Sequence, residues 1–183
     1  MSKSIPMRVV PLLSSVAVFF LPGAAFAQTS PLYVNSEYRF EIIFPGAPAA
    51  KDTTYTTSSG ASVPARQFYF EDGAGRYSVI VIQFPAGPNI DEPLLDFAAS
   101  QLRQRGEIRF QFANNYDPGV PGRQLNMVEP NGHQLRASVY MWDHHLYITE
   151  VSAEPGFLPA LQFEQSITML DADGNEVNTG VGM

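Results

Sequence analysis

The chain has 183 residues, a formal net charge of −7 and no cysteine. The missing thiols exclude cysteine nucleophiles, cysteine zinc sites and iron–sulfur ligation. The acidic balance argues against nucleic acid as a partner, because phosphate binding needs a basic stripe that releases counterions.

Residues 1–27 read as an export signal. Lys3 and Arg8 supply the positive start, Val9 to Leu21 form an apolar run of 13 residues, and Ala25-Phe26-Ala27 fits an A-x-A junction before Gln28. Spanning a bilayer takes about 20 apolar residues, so the run predicts cleavage between Ala27 and Gln28 and no stable membrane anchor. The expected location is the periplasm or the medium outside. Cleavage leaves 156 of the 183 residues, a length that suits one domain, with 9 basic against 18 acidic side chains.

Residues 28–37 read as a short leader, 38–170 as a single domain and 171–183 as a flexible tail. Within the domain, Tyr38, Phe40, Ile42 and Phe44 alternate with Arg39, Glu41 and Ile43, the period of a half-buried strand, which Pro45-Gly46-Ala47-Pro48 ends. Lys51 to Thr57 reads as a polar strand and Ser58 to Ser62 as a turn. Arg66–Glu71 and Arg76–Phe84 form a predicted hairpin about Asp72-Gly73-Ala74-Gly75. Val79-Ile80-Val81-Ile82 is apolar at both parities and predicts a central strand covered on both faces.

Asp91 to Arg105 carries the strongest helical pattern, with Leu94, Leu95, Ala98, Ala99 and Leu102 on one side. Acidic residues open it, Arg103 and Arg105 favour its negative end, and Gly106 stops it. Arg103, Arg105 and Arg109 are the only local basic cluster, and complementing the helix dipole accounts for them. Ile108, Phe110 and Phe112 alternate with polar residues as a strand. Three strands follow from Arg123 to Ser152, with hairpins at Asn131-Gly132 and Asp143-His144; then come a short helical segment within Pro155 to Gln165, interrupted early by Pro159, and a last strand at Ser166 to Leu170. Tight turns between strands predict an antiparallel sheet, and the segregated helices an α+β domain with helices packed on both faces.

Three segments in this order carry a family resemblance: Tyr38-Arg39-Phe40-Glu41-Ile42-Ile43-Phe44-Pro45-Gly46-Ala47-Pro48, Gly119-Val120-Pro121-Gly122-Arg123-Gln124-Leu125, and Phe163-Glu164-Gln165-Ser166-Ile167-Thr168-Met169. Over nearly the whole mature domain the chain resembles the PsbP-like superfamily of photosystem accessory proteins and small exported bacterial proteins. The resemblance implies an α/β/α sandwich and an accessory or binding role. The chain departs from the family in having no lipidated cysteine before the domain and nothing that suggests a photosystem context.

The residues give little chemistry of their own. Asp143, His144 and His145, with His133 upstream, are the only histidine cluster, and neighbouring strand residues point to opposite faces, which disfavours a shared metal. Asp171-Ala172-Asp173-Gly174-Asn175 begins like a calcium loop but has Glu176 where glycine is required and Gly182 in place of the bidentate Glu. Gly73-x-Gly75 lacks the third glycine of a dinucleotide fingerprint and sits in a hairpin. Asp117, Glu129 and Glu150 qualify as catalytic carboxylates by type only. Among the aromatics, Phe68, Tyr69 and Phe70 run consecutively. Arg136, Tyr140, Trp142 and His144 would form an aromatic and cationic binding patch if they faced solvent, although burial under a helix is the favoured arrangement. No cofactor is expected. These features together predict an exported, non-catalytic binding or accessory module with a protein partner in the cell envelope. A carrier of a small apolar or aromatic ligand and a hydrolase of envelope polymers are the alternatives.

Overall fold

The computed structural model describes residues 32–85 and 91–178. The export signal, its junction at Ala27 and Gln28, and the last five residues lie outside the described residues. In chain order the strands are β1 (Leu32–Asn35), β2 (Phe40–Ile43), β3 (Ala49–Thr56), β4 (Ser62–Glu71), β5 (Gly75–Gln83), β6 (Glu107–Ala113), β7 (Gly122–Val128), β8 (Gln134–Trp142), β9 (His145–Ala153) and β10 (Thr168–Met169). Helix α1 (Asp91–Arg103) lies between β5 and β6, and α2 (Leu158–Gln165) between β9 and β10. One sheet has the order β3-β4-β5-β9-β8-β7-β6 and the other β1-β2-β10. Every pairing in both is antiparallel.

Alternation along the strands sorts the buried side chains into two clusters. One joins Phe40, Ile42 and Phe44 from the small sheet to Phe68, Val79, Val81, Tyr147 and Val151, and takes in Ala160 and Phe163 of α2. The other joins Ile82, Leu125, Met127, Leu135, Val139, Leu146 and Ile148 to Leu95, Ala98, Ala99 and Leu102 of α1. β5 contributes to both clusters and sits between β4 and β9, the central place its double apolar character predicts.

Local chemistry explains the turns. Asp143 and His144 both have positive φ, 43° and 63°, as a two-residue turn of type I′ requires. Asn35 Oδ1 accepts the backbone N–H of Tyr38 (2.8 Å) and closes the β1–β2 turn.

Several expectations need correction. The segment read as a leader contains β1, which pairs with β2. Leu32 and Val34 remain exposed while Tyr33 packs on the core, so β1 lacks the deep alternation that marks a strand. The segment read as a tail docks at least as far as Val177, which is 5% exposed in the core and whose N–H donates to the Met169 carbonyl (2.9 Å). Pro159 does not interrupt α2 but stands in its first turn, where the missing N–H costs nothing. In β6 the pairing shifts register between Ile108 and Phe110, so Ile108 lies opposite Met127 while Phe110 and Phe112 lie opposite Asn126 and Gln124. This bulge breaks the simple alternation and separates Ile108 from the two phenylalanines.

Candidate functional site

Two polar clusters interrupt the apolar faces of the long sheet. In the first, Arg76 and Ser78 of β5 pair with Ser152 and Glu150 of β9, and on the other side with Glu71 and Tyr69 of β4. Gln67 continues this row toward Lys51 of β3. All of these share a parity opposite to that of Tyr77 and Val79, so strand alternation alone gathers them on one face. α1 delivers the central cation: past Arg103 the chain turns, and Arg105 N–H donates to the Leu102 carbonyl (3.0 Å). Gly106 then passes so close to β7 that a Cβ there would run into the Val128 carbonyl; this close approach brings Glu129 beside Arg105.

Arg105 donates to the Glu150 carboxylate through Nη1 and to Glu129 Oε1 through Nη2 (3.2 Å). Glu129, 8% exposed, also accepts from the Ser152 hydroxyl, and Arg76 Nη2 lies 3.6 Å from its second oxygen. Burial, the largest single influence on Arg105, lowers its pKa, but Glu150 and Glu129 together outweigh it and hold the guanidinium above its usual range. A recess of about 250 Å³ opens beside this network, lined by Lys51, Gln67, Tyr69, Ser78 and Arg76. Lys51 Nζ stands 4.9 Å from the centre of the Tyr69 ring, a cation–π contact.

The second cluster surrounds Glu164 of α2, whose side chain is 1% exposed. Arg136 Nε (2.7 Å), the Ser138 hydroxyl (3.2 Å) and the Gln124 amide all donate to its carboxylate. A polar groove of about 340 Å³ runs past it, lined also by Asn114, Tyr116 and Tyr140. Asn114 Nδ2 donates to the Tyr140 hydroxyl (3.2 Å).

These clusters redistribute the residues singled out in the sequence. Arg136, Tyr140 and Trp142 do share a face, but Tyr140 is 5% exposed and Arg136 is bound to Glu164, so they form no free patch with His144. His144 and Asp143 occupy the β8–β9 turn, where Asp143 pairs with Arg39. His145 is buried, and its Nδ1–H donates to the Asp143 carbonyl (2.8 Å). His133 stands at the opposite end of β8 from these residues. Glu129 and Glu150 converge on Arg105, whereas Asp117 lies at the other end of β7 from Glu129. Asp171 closes a turn, its Oδ1 accepting the N–H groups of both Asp173 and Asn175 (2.9 Å each). Phe68 enters the core and Tyr69 faces the recess. Of the three arginines assigned to the helix dipole, Arg103 ends α1, Arg105 serves the Glu129–Glu150 network and Arg109 pairs with Glu107. Sequence reasoning missed the grouping of Arg76, Arg105 and Ser152. The available signal was same-parity polar residues at 76, 78, 150 and 152 in strands otherwise rich in apolar ones.

The network determines which chemistry the cleft favours. A glycosidase pair needs one carboxyl to act as acid and the other as base or nucleophile across a substrate. Here Glu129 and Glu150 flank a single guanidinium instead. A serine nucleophile needs an adjacent base to take its proton; the Ser152 hydroxyl donates to Glu129, which Arg105 and Arg76 already engage. The arrangement suits recognition of polar groups.

The fold is an α+β domain built on a long antiparallel sheet, with a polar recess at the end of its longer helix. No family model matches the chain, and no curated protein does. Among solved structures it is similar to cyanobacterial PsbP from Synechocystis sp. PCC 6803, with a TM-score of 0.48 and 13% identity over 81% of this chain and 98% of that one. It is also similar to a Pseudomonas aeruginosa protein of unknown function described as a putative regulator, with a TM-score of 0.35 and 17% identity over 59% of this chain and 86% of the other.

Proposed function

We propose that the protein is exported, cleaved between Ala27 and Gln28, and acts in the cell envelope as a non-catalytic binding or accessory module. In this reading the domain is an α/β/α sandwich with one helix over each face of the long sheet, supported by the separate core clusters that receive α1 and α2. The observation that carries the function is the division of labour in the recess. Glu129 beside it and Glu150 within it are engaged by arginines, while among the described residues the side chains of Gln67, Tyr69, Ser78 and Glu71 have no hydrogen-bond partner and line the opening. A protein partner offering backbone or side-chain amides and a carboxylate would satisfy these groups and Lys51 together.

Crosslinking in the native host is the direct test. A specific envelope protein should be recovered reproducibly, and Lys51→Glu with Tyr69→Ala should lose it while leaving the fold intact. Failure to recover any reproducible partner would refute this reading.

A further inference from the structure

The two edges of the long sheet differ in kind. β3 presents Lys51, Asp52, Thr53 and Thr54, the polar and charged character with which natural sheets discourage edge pairing. β6, the other outer strand, presents Phe110 and Phe112 at 44% and 46% exposure, with ring centres 6.0 Å apart and planes within 26°. Among the described residues its outer side pairs with no strand. Two stacked, half-exposed phenylalanines on an open edge are an interaction surface in search of an apolar, strand-like partner.

The sequence of that edge says which partner fits. Phe110-Gln111-Phe112 reads the same in both directions, so a two-fold axis through its middle residue sets each phenylalanine against the other phenylalanine of the second copy. We infer that β6 pairs antiparallel with β6 of a second copy, about a two-fold axis through Gln111. Phe110 then lies opposite Phe112 of the other copy, twice, and Arg109 opposite Ala113, with no like charges facing each other along the pair. Registers centred on Arg109 or on Phe110 are worse. Centring on Arg109 sets two guanidinium groups against each other. Centring on Phe110 sets Phe112 opposite Ile108, which the bulge has turned to the other face. The bulge leaves Arg109 and Ala113 at the irregular ends of the pair and limits regular pairing to residues 110–112, so the interface is short and reversible. Gln111 points to the opposite face from the rings, where Arg103 Nη1 donates to its amide oxygen (2.9 Å). The axis therefore has an aromatic side and a polar side, and the product is one continuous sheet across two molecules.

The natural absence of cysteine makes the register readable. In the exported chain, Gln111→Cys places two thiols on the axis, where directly opposed strand residues approach within disulfide range. Under mild oxidation this variant should crosslink much faster than Ser58→Cys, a control in the exposed β3–β4 turn. Sedimentation of the unaltered chain should show a concentration-dependent dimer, and Phe110→Ser with Phe112→Ser should weaken it at least about tenfold while circular dichroism stays unchanged. A monomer at every attainable concentration would overturn the inference. So would a dimer indifferent to the phenylalanine changes, or Gln111→Cys crosslinking no faster than the control.

Discussion

Replacing Arg136 by methionine isolates the cost of a stranded charge. Glu164 is 1% exposed at its side chain and is held by Arg136 Nε at 2.7 Å, with Ser138 and Gln124 as neutral donors. Methionine keeps most of the arginine's apolar volume, so the loss is mainly electrostatic. Removing one partner of a buried ion pair costs roughly 3–5 kcal/mol. The Arg136 side chain is 16% exposed, and two neutral donors remain on Glu164, so the lower end applies: about 3 kcal/mol. In a domain of this size that corresponds to a fall in Tm of roughly 6–12 °C. The assay is equilibrium urea unfolding followed by the fluorescence of Trp142, the only tryptophan in the chain. The midpoint should drop without a change in slope. Adding Glu164→Gln to Arg136→Met should restore part of the loss, because an amide in the same place leaves no uncompensated charge. A loss below about 1 kcal/mol in the single variant, or strict additivity in the double one, would refute the reasoning.

Three further outcomes rest on the packing and the titrating groups. A Cβ at Gly122 would strike the Tyr140 ring and stand 2.5 Å from the Asn114 carbonyl, so Gly122→Ala should cost about 1–3 kcal/mol in the same unfolding assay. Burial pushes the phenols of Tyr55 and Tyr77 up to about 12, with Asp72 adding to the effect at Tyr77. Their contribution is complete below the unfolded value near 10 and is lost as pH rises through the folded value, so absorbance titration should show these two phenols ionising late together with those of Tyr116, Tyr140 and Tyr147, which burial also raises, and a fall in stability over that interval. Burial, reinforced by Arg39 and His144, lowers His145 despite the opposing contact with Asp143. Its contribution is therefore present above the unfolded histidine value near 6.5 and is lost as pH falls through the depressed folded value. Proton NMR should place its titration below the unfolded histidine value, and His145→Phe should flatten the acid limb of the stability curve.

Much of the fold was legible because local patterns and tertiary demands agree. Val79 to Ile82 announced a central strand, Asp91 to Arg105 a helix with charged ends, which ends at Arg103 in the structure, and Asp143-His144 a tight hairpin. Legibility failed where the pattern carried no burial signal. β1 exposes Leu32 and Val34, and Val177 is a lone apolar residue in a polar stretch, so neither showed periodicity. In β6 the alternation was real in sequence but interrupted in space, since a bulge is a property of the pair of strands and leaves no mark on one of them.

The site divides along the same line. The sequence alone determined which residue types were available: no thiol, three histidines, few cations, and an apolar period that directs most side chains inward. Only the tertiary structure decided which of them meet. Arg105 reaches Glu150 across 45 residues and Glu129 across 24 because a turn after α1 lays it over β9 and the end of β7. Strand order sets β5 beside β9, and strand parity then places Ser78 and Arg76 with Glu150 and Ser152. The physical reason is that spacing along the chain governs only contacts within a helix or a hairpin. Contacts between distant strands depend on sheet order, which the packing of the whole core selects.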